Sequence, residues 1–264
     1  MSSYRSRRRA TKRAHDTVEE DAQRDAARNG RKAEVLLTGY IQGHEDSTKW
    51  IVDEINECPY EQTGAKHRAG LEKADVVIYD QKSGKDYGMI SLKCCVDFRT
   101  GFNQIKRASL KNFSKEFEVP DNIQALLKRY TVGRKKFLIK GKNYTRDELD
   151  GLTAFLNKNR KAFLLSAFTG QAKKSKANWL LLHQWTPPNW EKNIARKDRS
   201  ELISMHDILG IFETIAVTYS RYGTVTFGAG ITLQRKGGEK GRKSANDLQF
   251  KMKTSPFLKA LGRL

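Results

Sequence analysis

The stretch Asp75–Gln104 constrains this chain most, because it reads as two strands joined by a turn. The first strand opens on an acid, Asp75, followed by the β-branched run Val76-Val77-Ile78. Ser83-Gly84 marks the turn, and the second strand ends in Ser91-Leu92-Lys93. Strand side chains alternate faces, so Ser91 and Lys93 share one face and Leu92 enters the opposite layer.

Composition narrows the partner. The chain has 264 residues, enough for one large domain with a packed centre. Its 50 Lys and Arg against 30 Asp and Glu give a net charge of +20. Such a balance points to a polyanion, whether nucleic acid or an anionic surface. No apolar run approaches the ~20 residues that cross a bilayer, so no membrane span is expected. The basic start has no apolar segment after it and is not a secretory signal. Three cysteines, two of them adjacent, argue against a disulfide framework and for a reducing cytoplasm. They also lack the spacing of a zinc site.

Taken in order, residues 1–24 are a basic, flexible arm, and residues 25–264 form one domain. Residues 25–57 have helical spacing, with Ala33, Leu36, Leu37, Tyr40 and Ile41 on one stripe and Glu34 beside it. Trp50–Ile55 continue as a second short helix. Residues 60–74 read as a loop carrying His67, and a lone loop histidine is more often neither ligand nor base. Residues Asp97 to Gln104 read as a turn, with Phe102 either tucked into the core or probing DNA beside the amides of Asn103 and Gln104. Residues 105–131 have a helical pattern with Asp121 as N-cap, and 132–143 are a basic loop or short strand. Thr145 and Glu148 form a capping box that opens a helix through Leu156. The runs KAFLLSAF and NWLLLHQW read as strands, the second central in a sheet. Helical spacing returns at Ile208, Ile211, Phe212 and Ile215. The C-terminal stretch alternates at Val225, Phe227, Ile231 and Leu233, then at Leu248, Phe250 and Met252, as strand, loop, strand. The loop carries Gln234, Arg235, Lys236, glycines and Arg242. It is either a solvated hairpin tip or a surface turned to phosphates and guanine edges.

The hairpin has the outline of a metal-dependent nuclease site. Hydrolysing a phosphodiester needs an activated water, charge neutralisation and a stabilised leaving oxygen, which a divalent cation held by carboxylates can supply. Mg2+ often takes only one or two protein carboxylates. Asp75 fits as the main ligand, and Lys93 would touch the attacking water or the scissile phosphate. Ser91 can hydrogen-bond but supplies no charge, which leaves Asp75 short of an acidic partner. Asp80 lies an odd number of residues away, on the other face of a regular strand, so Glu34 is preferred as second ligand. A helix glutamate is otherwise a solvated surface residue.

With these residues in place, the chain resembles the Type II restriction endonucleases of the PD-(D/E)xK superfamily, in particular the group that includes MspI and its GCGC-cutting relatives. The likeness rests on Asp75 with Ser91-Leu92-Lys93, on Gly101 to Ile105, and on Ile231–Gly238 with Arg242 and Ala245–Lys251. It implies an α/β (α+β) core with a central mixed sheet flanked by helices. It also implies Mg2+-dependent cleavage of double-stranded DNA at a short G/C-rich palindrome by a monomer or homodimer. Phe102, Asn103 and Gln104 would enter a groove, while Gln234, Arg235, Lys236, Arg242 and Asn246 would read the major groove. Ser91 departs from the family, which has an amide or acid there. Two other functions fit the charge: a junction or repair nuclease, and a non-catalytic nucleic-acid-binding protein.

Overall fold

The computed structural model describes residues 28–68, 73–138, 143–170, 176–185, 191, 194–213, 215–237 and 243–264. The basic arm 1–24 and Arg242 lie outside the described residues. Helix α1 (28–42) and α2 (Asp46–Ile55) come first. They are followed by strands β1 (Thr63–His67), β2 (Val76–Asp80) and β3 (Asp86–Cys95). Strand β4 (Phe102–Ala108) precedes four helices, α3 (Leu110–Glu116), α4 (Asp121–Thr131), α5 (Arg146–Lys158) and α6 (Arg160–Thr169). Then come β5 (Trp179–Gln184), β6 (Ser200–Ser204), α7 (Met205–Gly210) and β7 (Thr218–Tyr219). The chain closes with β8 (Val225–Gly228), β9 (Ile231–Arg235), β10 (Leu248–Lys253) and α8 (Thr254–Ala260).

Among the described residues two five-stranded sheets result. The first runs β1-β2-β3-β5-β6 and is mixed, because β3 and β5 are parallel while the other pairs are antiparallel. The second runs β4-β10-β9-β8-β7 and is antiparallel throughout. One core packs α1 and α2 on the first sheet through Leu37, Ile41, Ile51, Ile78 and Leu92. The other joins the opposite face of that sheet, through Leu180 and Leu182, to α3–α7 and the second sheet. The stripe expected in α1 faces the first core, with Ala33, Leu37 and Ile41 fully buried. A mixed sheet flanked by helices is the architecture expected from the sequence.

Several elements differ from the sequence expectation. KAFLLSAF is helical, within α6. Phe163, Leu164, Ala167 and Phe168 are all fully buried, and a run apolar on every side does not distinguish a helical from a strand period. The loop expected at 60–74 contains β1, paired residue for residue with β2 from Thr63↔Asp80 to His67↔Val76. Gly64 weakens the strand pattern for a local reason: a Cβ there would stand 2.4 Å from the Tyr79 ring. The turn expected at 97–104 ends by Gly101, and its last three residues with the start of the expected helix form β4, whose Phe102–Ile105 alternate exposed and buried. Asp121 lies in the first turn of α4, and Pro120 holds the N-cap position. The C-terminal stretch makes three strands, because Gly228, Ala229 and Gly230 all take positive φ and turn the chain between β8 and β9. The capping box at Thr145 and the interior position of β5 agree with expectation.

Candidate active site

Asp75 immediately precedes β2, and its N–H donates to the Ile90 carbonyl at 2.8 Å, which sets it against β3. Three donors from β3 converge on one of its oxygens. Leu92 N reaches Oδ2 at 2.7 Å, Lys93 Nζ at 3.2 Å and Ser91 Oγ at 3.3 Å. Lys93 Nζ also donates to the Leu92 carbonyl at 2.6 Å. Ser91 is only 1% exposed, so its hydroxyl braces Asp75 from within the sheet. Oδ1 of Asp75 makes no hydrogen bond among the described residues.

Glu34 is carried to the same place by α1. Burial, and then the negative charge of Asp75, raise its carboxyl above the ordinary range, with His67 and Lys93 opposing. His67, at the end of β1, approaches Glu34 Oε2 with Nε2 at 3.2 Å. Two partly buried carboxylates that feel each other's charge suit a divalent cation, which would neutralise both. The donor set is of hard oxygens, as Mg2+ prefers. Among the described residues no third His, Cys, Asp or Glu joins them, so water and substrate oxygens would complete the shell. Asp80, set aside on strand parity, caps its own turn instead, accepting from Lys82 N and Ser83 Oγ.

A cleft of about 380 Å³ opens here, lined by Glu34 and Lys93 and by Phe102, Asn103 and Gln104. The structure therefore brings the β4 residues to the catalytic candidates. Phe102 is 62% exposed, with its ring under the Lys251 ammonium at 4.7 Å. Gln104 is exposed and Asn103 buried. The second sheet holds Gln234 and Arg235 at the end of β9, and the Arg235 guanidinium donates to Asn246 Oδ1 at 3.2 and 3.3 Å. Lys236 extends the hairpin, its N–H donating to the Asp247 carbonyl at 2.8 Å.

Two lysines at the site were not marked by sequence reasoning. Lys251 follows from the strand period of β10, whose outward positions near β4 are Lys251 and Lys253. Lys73 carries no local signal. Its ammonium reaches the Ile105 carbonyl of β4 at 2.5 Å, and burial followed by the charge of Lys93 lowers its pKa to about 7.

The solved structure of the restriction endonuclease MspI in complex with its cognate DNA matches this fold with a TM-score of 0.52. The match covers 81% of this chain and 79% of that one at 14% identity, a likeness of fold. A family model described as the R.HinP1I restriction endonuclease matches residues 69–258, and the chain belongs to that family. It is a Type II site-specific deoxyribonuclease. The sequence matches no curated protein.

Proposed function

We propose that the enzyme cuts both strands of a short G/C-rich palindrome of the GCGC kind, with Mg2+ held by Asp75 and Glu34. The observation that supports the site assignment is the convergence of Ser91, Leu92 and Lys93 on Asp75 Oδ2, with the Asp75 charge acting on Glu34, which lines one cleft together with Lys93. The cation, when bound, supplies charge neutralisation at phosphorus and makes water a better nucleophile. Ser91 and the Leu92 N–H fix the Asp75 carboxylate. Lys93 presents its ammonium to the scissile phosphate, where negative charge grows as the bond breaks. His67 holds Glu34 through Oε2. Gln234, Arg235, Lys236, Arg242 and Asn246 form the base-reading surface. A guanidinium matches the O6/N7 edge of guanine, which favours a G-containing site.

Plasmid digestion with Mg2+ should give discrete bands whose ends define the site; a product without a fixed pattern would indicate a structure-specific nuclease. Asp75→Ala and Lys93→Ala should each abolish cutting while a gel shift on cognate DNA survives. Loss of both together would mean that the site is misassigned. Arg235→Ala should cost about 1–3 kcal/mol in cognate binding. An equal loss on every sequence would make Arg235 a phosphate contact instead.

A further inference from the structure

Asn103 is placed unlike its two neighbours. Phe102 and Gln104 project from the exposed face of β4, and alternation turns Asn103 to the side of Ile105, which belongs to the larger core. Asn103 is 7% exposed, and its Nδ2 has no hydrogen-bond partner among the described residues. Native proteins rarely leave a buried amide donor unmet, because it has lost water and gained nothing in return. A leucine of similar size would pack beside Ile105 without that cost. Yet Asn103 lines the cleft that Lys93 and Glu34 also line. Nδ2 has almost no surface of its own, so a small turn of the amide towards the cleft would bring it to an acceptor arriving there.

The burial limits what that acceptor can be. Base edges lie inside the duplex grooves and are reached by side chains that project, as Phe102 and Gln104 do. A short side chain withdrawn into the wall meets only what is pressed against the wall, and the outermost acceptors of a duplex are its phosphate oxygens. Lys93 and Arg31 line the same cleft and favour an anion there.

We infer that Asn103 Nδ2 donates to a non-bridging phosphate oxygen of the strand being cut, at or next to the scissile phosphate. Asn103 is thus a backbone contact that seats the strand against Lys93, distinct from the base-reading amides with which the sequence groups it. The inference rests on the cleft being the cleavage site.

The test uses Asn103→Leu and short cognate duplexes in which one phosphate at a time is replaced by an uncharged methylphosphonate. Affinity is measured without Mg2+ and cutting of the unmodified duplex with it. Asn103→Leu should slow cutting about 10- to 100-fold, as expected for a hydrogen bond to a charged acceptor. It should also weaken cognate and non-cognate binding by similar factors. One methylphosphonate position should weaken the wild-type enzyme clearly more than Asn103→Leu, the remaining loss in the variant being that of the Lys93 contact. The variant should melt no lower than wild type, since it removes an unsatisfied buried group, which separates a substrate contact from a structural role. Cutting at the wild-type rate, a loss confined to cognate sequence, or methylphosphonate effects that add to the substitution at every position would each overturn the inference. Cutting that survives Asp75→Ala would overturn the cleft assignment first, and this inference with it.

Discussion

Acidification should weaken the fold through His183, which sits in β5 opposite Cys94 of β3. The imidazole is fully buried, its Nδ1 is 2.8 Å from Ser200 Oγ, and Nε2 has no partner among the described residues. Burial, and then the nearby Arg199 charge, lower its pKa from the ordinary 6.5 to about 4, with Asp198 opposing. The unfolded chain therefore takes up this proton first as pH falls, and stability drops from about pH 6.5 until the folded histidine also titrates near pH 4. A gap of roughly 2.5 units at ~1.36 kcal/mol each amounts to about 3 kcal/mol in full. About 2 kcal/mol of it is gone by pH 5. Urea unfolding of wild type and His183→Gln at pH 7, 6 and 5 measures it, because glutamine can keep a hydrogen bond to Ser200 but does not titrate. Carboxylates elsewhere contribute equally to both proteins, so the difference between the curves isolates the histidine. Wild type should lose about 2 kcal/mol more than the variant between pH 7 and pH 5. Parallel curves would refute the reasoning.

Gly101→Ala should damage both fold and function. Its Cβ would stand 2.4 Å from the Asp97 carbonyl oxygen and 2.8 Å from Cys95 Cβ, so the turn that delivers β4 to the cleft must open. A loss of about 1–3 kcal/mol is expected from such overpacking, with slower cognate cutting, and normal values of both would count against it. Thr145→Ala removes a capping box in which Thr145 Oγ1 accepts from Glu148 N and Glu148 Oε2 accepts from Thr145 N. Denaturant melts should show about 1 kcal/mol lost, with cutting at 25 °C unchanged.

The β2–β3 hairpin was legible because its determinants are local. Asp75, the β-branched run, Ser83-Gly84 and Ser91-Leu92-Lys93 lie within one pair of adjacent strands, and strand parity sets which side chains share a face. The stripe of α1 and the Thr145 capping box are legible for the same reason, since period and cap are properties of neighbouring residues. Where the residues are apolar almost throughout, as at Phe163–Phe168, local pattern fails and the helix emerges only from packing. β1 shows the same limit: its five residues, one of them Gly64, become a strand because β2 offers an edge to pair with.

The sequence by itself determined the chemistry on offer: an acid, a serine and a lysine in strand register, a basic chain, and polar strands near the C-terminus. Tertiary structure decided which distant residues share that chemistry. It set Glu34 and His67 beside Asp75, ran Lys73 to the Ile105 carbonyl, and withdrew Asn103 into the cleft wall between two exposed neighbours. None of those contacts has a sequence signature, because each joins different elements, and its geometry is set by how the two sheets and α1 pack.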